Sequence, residues 1–417
     1  MSALLQAPAD RRTPAWVFLP LLLPFGVSAG YVSVTLAFLL KGAGMAPATI
    51  AALVAFSVWP QTWKVFWAPL VDTTLGPKRW HVLGSLGTGL AILALSVVPA
   101  GAKTMALLMI LIVVSSLAST LVSMSAEVFM AHDVEDERKG DVSGWSQAGN
   151  LGGAGLGGGL GLYLSQHAPQ PWMGGAALAV LCCACSLALL LVHASPRSRS
   201  APRLVEGLKE VLTDLWSVAR SRAGLLVIVL MLLPLGSGGA QGLWAAIAGE
   251  WKTDGDTVAL VNGVLSGLAS LVGAVIAGWL CDRLDRRTAY CLFGLLLGAV
   301  AVAMAFGPRS RLVFIIATLG YAFVLGACYA AYSAAVLEAI GKGAAATKFN
   351  LLASISNIPI ALMTTWDGTA HDRYGANGML LAEGGVAVAS VIFFALFAEA
   401  TRNRSRPRGW SLRPKPA

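Results

Sequence analysis

Charge is what this 417-residue chain has least of. Only 12% of its residues are Asp, Glu, Lys or Arg, against about 25% in soluble proteins. With 56% apolar residues, the chain lacks the polar surface that a soluble globule of this size needs, and it is too apolar to be disordered. Alternation of polar and apolar residues is also missing. The apolar residues come in long unbroken runs, not ten-residue alternating segments, which disfavours a transmembrane β-barrel. The six cysteines (Cys182, Cys183, Cys185, Cys281, Cys291 and Cys328) lie in or beside apolar runs. They show no metal-ligand spacing with histidine and read as packing residues. No Walker A sequence occurs, so an ATP-driven pump is disfavoured. No nucleophile–base or metal cluster marks an enzyme. What remains is a polytopic integral membrane protein.

Spanning helices need about 20 mostly apolar residues. Twelve stretches qualify, near 15–40, 47–71, 80–99, 104–130, 143–165, 172–193, 223–248, 258–280, 288–307, 312–339, 345–367 and 376–399. The first is too long for a signal-peptide core and has no small-residue cleavage site, which predicts a retained helix. With the N-terminus inside, 23 of the 30 Lys and Arg residues fall in inside segments and six outside, leaving Lys64 within a span. This asymmetry predicts both termini in the cytoplasm of a bacterial-type inner membrane. It also accounts for the net charge of +9 without nucleic acid as a partner.

The longest polar stretch, 195–222, reads as a cytoplasmic linker in which Val205, Leu208, Val211, Leu212 and Leu215 suit a short amphipathic helix. It separates a six-helix bundle over 1–194 from a second over 223–417, which ends in a basic cytoplasmic tail. The halves echo each other. Leu22-Leu23-Pro24-Phe25-Gly26 returns 210 residues later as Leu232-Leu233-Pro234-Leu235-Gly236. The same offset takes Asp72 to Asp282 and, within one residue, Glu127 to Glu338, while Asn150 falls near the counterpart of Asn357. The order predicts a parallel repeat with a midplane site between the halves. The two Pro/Gly pairs predict matching kinks in spans 1 and 7.

Lys64 lies eight residues before Asp72, so about 12 Å deeper, where a cation costs several kcal/mol unless paired or hydrated. Glu127, at similar depth on span 4, is the expected partner. The pair is either a static buried salt bridge or a contact for an anionic solute or proton relay, and the functional reading is favoured. Glu127 ends a stripe of Ser116, Ser119, Thr120 and Ser123 on one helix face, which suits either a solute cavity or helix packing. Glu383 is a second intramembrane acid, with no partner identifiable from the sequence. The run Gly149 to Gly158 contains a formal G-x-G-x-x-G at Gly153, Gly155 and Gly158, but it follows no strand. Close helix packing is the better reading. Further pathway candidates are Tyr31, Gln61, Trp145, Gln147, Asn150, Gln241, Trp244, Asn262, Tyr329, Tyr332, Asn350, Asn357 and Trp366. Taken singly, each suits packing or interfacial anchoring better than ligand contact.

Gly278-Trp279-Leu280-Cys281-Asp282-Arg283-Leu284-Asp285-Arg286-Arg287 resembles the G-x-L-x-D-R-x-G-R-R loop signature of the major facilitator superfamily, with Asp285 where the family prefers Gly. A degenerate first-half copy keeps Asp72, Lys78 and Arg79. The resemblance implies an all-α membrane protein of twelve transmembrane helices in two six-helix pseudo-repeats, working by alternating access without a cofactor. It also implies a cytoplasmic gate of Asp72, Lys78, Arg79, Asp282, Arg283, Arg286 and Arg287, with Glu338 as a partner near the inner surface. Lys64-Val65-Phe66-Trp67-Ala68-Pro69-Leu70-Val71-Asp72 is similar to the K-x-x-W-x-P-L-x-D segment of muropeptide permeases and their acetyl-CoA and siderophore relatives, as is the acidic end of span 4 followed by Arg138-Lys139-Gly140. The expectation is a monomeric secondary transporter that moves a small organic solute with a proton or other coupling ion. Import of muropeptide-like or siderophore-like solutes comes first. The span 5 glycines resemble a motif of proton-coupled drug exporters without its Pro, so export of drugs or metabolites is an alternative. A non-transporting sensor or assembly factor on the same scaffold is another, and a membrane-embedded enzyme ranks third.

Overall fold

The computed structural model describes residues 13–134, 139–193, 209, 213, 216–281, 283–340 and 345–404. Val205, Leu208, Val211, Leu212 and Leu215 of the expected linker helix, and the basic tail beyond residue 404, lie outside them. Among the described residues there is no strand, as expected where backbone groups must pair within each segment.

Twelve helical passages follow in order. The first six are α1 (Ala15–Gly42), α2 (Pro47–Thr73), α3 (Pro77–Val97), α4 (Met105–His132), α5 (139–167) and α6 (Trp172–Leu191). α7 begins as Arg222–Leu232 and, after a break, resumes in short turns as far as Trp251. Then come α8 (Gly255–Cys281), α9 (Arg286–Phe306) and α10 (Arg311–Ile340). The last two, α11 (345–374) and α12 (376–404), form a hairpin around Gly375, whose φ is 68°. Eight stretches are long and apolar enough by themselves to cross a membrane, with α11 and α12 counted as one. The remaining passages fall short for identifiable reasons. Gln61, Thr62 and Lys64 dilute α2, glycine and polar residues dilute α5, and α7 is interrupted.

α5 is the axis of the packing. Gly149, Gly153 and Gly157, four residues apart, rest on the carbonyls of Leu19, Leu23 and Val27 in α1, where any β-carbon would overlap backbone. Gly26 and Gly30 of α1 return the contact to Asn150 and Ala154. A second stripe, Gly155 and Gly159, meets Gly263 of α8 in the other half of the chain. Small residues let helix backbones approach this closely. At this crossing α1, α5 and α8 each widen into a π-turn, over Tyr31–Leu36, Leu156–Leu160 and Ala259–Leu265. The Thr35 hydroxyl donates to the Gly157 or Gly158 carbonyl at 2.9 and 3.0 Å.

The two Pro/Gly pairs, where matching kinks are expected in spans 1 and 7, meet different outcomes. α1 stays helical through Pro24. α7 stops at Leu232, Leu233 turns extended (φ −74°, ψ 141°), and Gly236 and Gly238 take φ of 66° and 70°. The residue before a proline is driven out of the helical region unless its surroundings hold it there. Only around Pro24 do they do so.

Candidate functional site

Two polar centres lie within the membrane-spanning part, one in each half. In the first, Lys64 Nζ of α2 donates to Glu127 Oε1 of α4 at 2.8 Å, and the Ser123 hydroxyl reaches the same oxygen at 3.4 Å. The two side chains are 11% and 28% exposed. Gln61 is half-buried one turn before Lys64. The rest of the serine stripe turns to backbone: Ser116 donates to the Ser57 carbonyl of α2, and Ser119 and Thr120 donate to carbonyls of their own helix.

The second centre is built around the break in α7. An unwound segment inside a membrane needs partners for its backbone groups, and side chains of the neighbouring helices supply them. Tyr290 Oη of α9 donates to the Leu235 carbonyl at 2.6 Å. The Ala240 amide donates to Glu383 Oε1 of α12 at 2.9 Å. The Thr364 hydroxyl of α11 donates weakly to the Gly239 carbonyl at 3.4 Å. Tyr321 Oη of α10 donates to Glu383 Oε1 at 2.9 Å and meets the edge of Trp244, with ring centroids 5.3 Å apart. Asp367 of α11 is fully buried, and neither carboxyl oxygen has a hydrogen-bond partner. Beside the break opens a small cleft of about 30 Å³, lined by Leu233, Leu235, Gly236 and Ser237 of α7, Tyr290, Cys328, Tyr329 and Tyr332, and Ser356 and Pro359 of α11.

The structure thus gathers Lys64, Glu127, Ser123 and Gln61 in one place and Tyr329 and Tyr332 in another. Gln241 and Trp244 lie just past the break. Tyr31 is buried in the π-turn of α1 and Asn150 sits where α5 touches Gly26. Asn357 donates to the Ala353 carbonyl of its own helix at 3.1 Å. Trp145 and Trp366 point outward, 39% and 60% exposed. Asp367 escapes the sequence reading because it falls at the expected end of span 11. α11 runs on to residue 374, which places it two turns inside. His81 escapes too: it is buried in α3, with Nε2 2.9 Å from the Leu21 carbonyl.

The expected gate residues mark what is termed here the signature face. Arg286 and Arg287 meet Glu338 of α10 at 3.7 and 3.8 Å. Arg283 lies over the Trp279 ring, 3.5 Å from its centroid. Lys78 donates to the Val192 and Leu189 carbonyls at the end of α6, at 2.7 and 3.3 Å, and Arg79 is exposed nearby. Asp282 and the side chain of Asp72 lie outside the described residues. Asp285, the departure from the loop signature, caps α9 by accepting from the Thr288 amide and hydroxyl, both at 2.9 Å. Partial burial pushes its carboxyl up, but the Thr288 hydrogen bonds and the Arg287 charge outweigh this and hold it below the usual range.

These described contacts each stay within one half. At the opposite face the halves touch. His167 Nε2 of α5 lies 3.6 Å from Asp256 Oδ1 of α8, and the Ala48 amide of α2 donates to Asp372 Oδ1 of α11 at 3.2 Å. Gly368 of α11 packs on Pro47, Ala48 and Ala51. His371 also pairs with Glu250 there.

The family model described as Major Facilitator Superfamily matches residues 17–364. Anhydromuropeptide permease of Escherichia coli strain K12 is 28% identical over 250 residues, 57% of this chain and 49% of the relative. The chain therefore matches about half the length of that relative. Among solved structures, nucleoside transporter NupG superposes with a TM-score of 0.67 at 12% identity, covering 91% of this chain and 98% of that one. A D-xylose-proton symporter gives 0.67 at 13%, covering 91% and 96%. A POT family transporter in complex with a thioalcohol-conjugated peptide gives 0.67 at 12%, covering 93% and 96%. At such identities the likeness is one of fold.

Proposed function

Since the chain belongs to the major facilitator superfamily, a family of multi-pass membrane transporters, we propose that it imports a muropeptide-like solute across a bacterial inner membrane in symport with protons. The observation that carries this reading is the cleft at the broken α7. Interrupted helices near the midplane are where such proteins bind solutes, because free backbone groups and kinked geometry give both contacts and movement. Tyr329 and Tyr332 offer aromatic faces to a sugar or peptide ring. The 28% identity to an anhydromuropeptide permease and the Lys64–Asp72 segment support the solute class.

In this reading the halves, residues 1–194 and 223–417, are six-helix bundles joined by the 195–222 linker, and one copy suffices. Basic loops put the signature face and both termini in the cytoplasm. Closure at the opposite face, with the described signature-face contacts staying within each half, supports a state that opens to the cytoplasm. In the outward-opening state, Asp72, Lys78, Arg79 and Asp282 to Arg287 close that side. The Lys64–Glu127 pair, near the cytoplasmic end of the pathway, meets the anionic part of the solute.

Reconstitution decides it. Proteoliposomes are offered anhydromuropeptide, a ferric siderophore, a CoA thioester and a cationic drug, with and without a pH gradient. Gradient-driven accumulation of the muropeptide is the expected result. Extrusion of the drug alone supports the exporter. Absence of all flux together with a stable complex with another protein supports the sensor.

A further inference from the structure

We propose that Asp367, Glu383 and Tyr321 form the proton-binding site of this protein, so that the coupling proton resides in the second half beside the broken helix and not on the Lys64–Glu127 pair. The inference rests on the reading of the chain as a proton-coupled transporter.

Depth comes first. Asp367 lies eight residues before the hairpin glycine Gly375 and Glu383 eight residues after it, so each sits about 12 Å below the turn. Two antiparallel helices thereby bring two acids to the same level. They are 0% and 5% exposed. Glu383 accepts from Tyr321 and from the Ala240 amide through one oxygen, a set of partners suited to an anion. Asp367 differs: its buried carboxyl faces that of Glu383 and accepts from no other group, and its Oδ2 occupies the space where Gly239 lacks a β-carbon.

The ionisable groups facing the pair are few. α10 presents Tyr321 and Cys328, α11 and α12 present the acids themselves, and the adjoining turn of α7 presents backbone and Trp244. None of these is a cation. His371, one turn outward on α11, is engaged by Glu250 and Asp372. Two carboxylates in one dry site without a cation repel each other and lose their hydration, a cost of several kcal/mol. A single proton on Asp367 removes most of that cost. It also turns the unbonded carboxyl into a donor beside Glu383, the arrangement of two acids sharing one proton. The first-half pair has no such need, because Lys64 already neutralises Glu127.

The site is also wired to a moving part. Ala240 and Gly239, which bond Glu383 and Thr364, follow directly on Gly238, one of the two positive-φ glycines of the α7 break. Gly242 of the same turn abuts Val54 of α2 in the first half. Proton loss therefore places a second negative charge against the hinge of α7, where that hinge touches the other bundle.

The test uses the full-length protein in lipid and reads the proton without needing a solute. Infrared pH-difference spectra report the C=O stretch of a protonated carboxyl. Wild-type protein near pH 7 should show such a signal, Asp367→Asn should remove it, and Glu127→Gln should leave it in place. Asn imitates the protonated acid in size and polarity, so Asp367→Asn should stay folded. Should it fail to fold, Glu383→Gln, which leaves the proton on Asp367 but changes the group beside it, should shift the band without removing it. With anhydromuropeptide as the probe, Asp367→Asn should lower the effect of a pH gradient on uptake by about tenfold or more. A wild-type spectrum without the signal, a signal that survives Asp367→Asn, or a band that Glu383→Gln leaves unmoved overturns the proposal. If the signal behaves as expected but no solute moves, the proton site stands and the transport reading falls.

Discussion

α1 and α7 carry almost the same pentapeptide, Leu-Leu-Pro-Phe-Gly and Leu-Leu-Pro-Leu-Gly, yet one is a continuous helix and the other a break. A proline removes a hydrogen bond and crowds the preceding turn in both. The difference lies in what each helix touches. α1 is pressed along its length against the glycine face of α5, where Gly26 leaves no room for the backbone to move away from Asn150 and Ala154. α7 faces Tyr290, Glu383 and Thr364, whose polar atoms take up the backbone groups that unwinding frees. A proline thus permits a break, and the neighbouring side chains decide whether one forms. The same contrast runs through the charges. The first half encloses a finished ion pair, while the second encloses two acids side by side with no cation described between them.

The comparison can be broken at several points. The largest effect is expected from Gly26→Leu, which drives a side chain into the α5 backbone. Size-exclusion chromatography should find no monodisperse protein. Next is Lys64→Ala, which strands Glu127 in a largely buried site. Stripping one partner from a buried pair costs about 3–5 kcal/mol, somewhat less here because Glu127 is 28% exposed. The melting temperature should fall and uptake should be lost. The double change Lys64→Met, Glu127→Leu should recover the melting temperature but not uptake; recovery of both would make the pair merely structural. Gly236→Ala should be milder. An alanine at φ 66° costs about 1–2 kcal/mol, so the protein should fold while transport slows, whereas equal loss of both would mean the break is no hinge. Smallest is Asp285→Ala, which removes the α9 cap for about 1 kcal/mol. Because the Asp285 carboxyl is held below its usual range, its contribution is complete above the ordinary Asp value. It is lost as pH falls through the lowered one. Wild-type and variant melting curves should therefore converge only below about pH 4.

Much of this architecture is legible in the sequence because the bilayer imposes simple rules. Apolar length marks the helices, and the repeated pentapeptide aligns the halves. Lys64 stands out because a lone cation in an apolar run demands a partner, and Glu127 is the acid at matching depth. The close-packing role of Gly149 to Gly159 is legible as well, although not that it serves α1 and α8 from two faces. Asp367 is hidden for the opposite reason: near the end of an apolar run an acid reads as a surface charge, and only the full length of α11 reveals its depth. The unequal fates of Pro24 and Pro234 are likewise beyond sequence pattern, because they depend on helices more than fifty residues away.

One consequence follows from the meeting of Gly159 with Gly263. Two backbones in contact have no interlocked side chains, so one can slide and rock over the other without side chains catching. The described polar links between the halves at the face opposite the signature face, His167 to Asp256 and Ala48 to Asp372, are of the partly exposed kind worth about 0–1 kcal/mol each. The two arrangements of such a molecule would then differ by only a few kcal/mol, with the rarer one populated at about 0.1–10%. A ligand that prefers one arrangement about tenfold shifts that balance by about 1.4 kcal/mol. A smooth seam lets weak, transient binding be enough to tip the molecule from one side to the other.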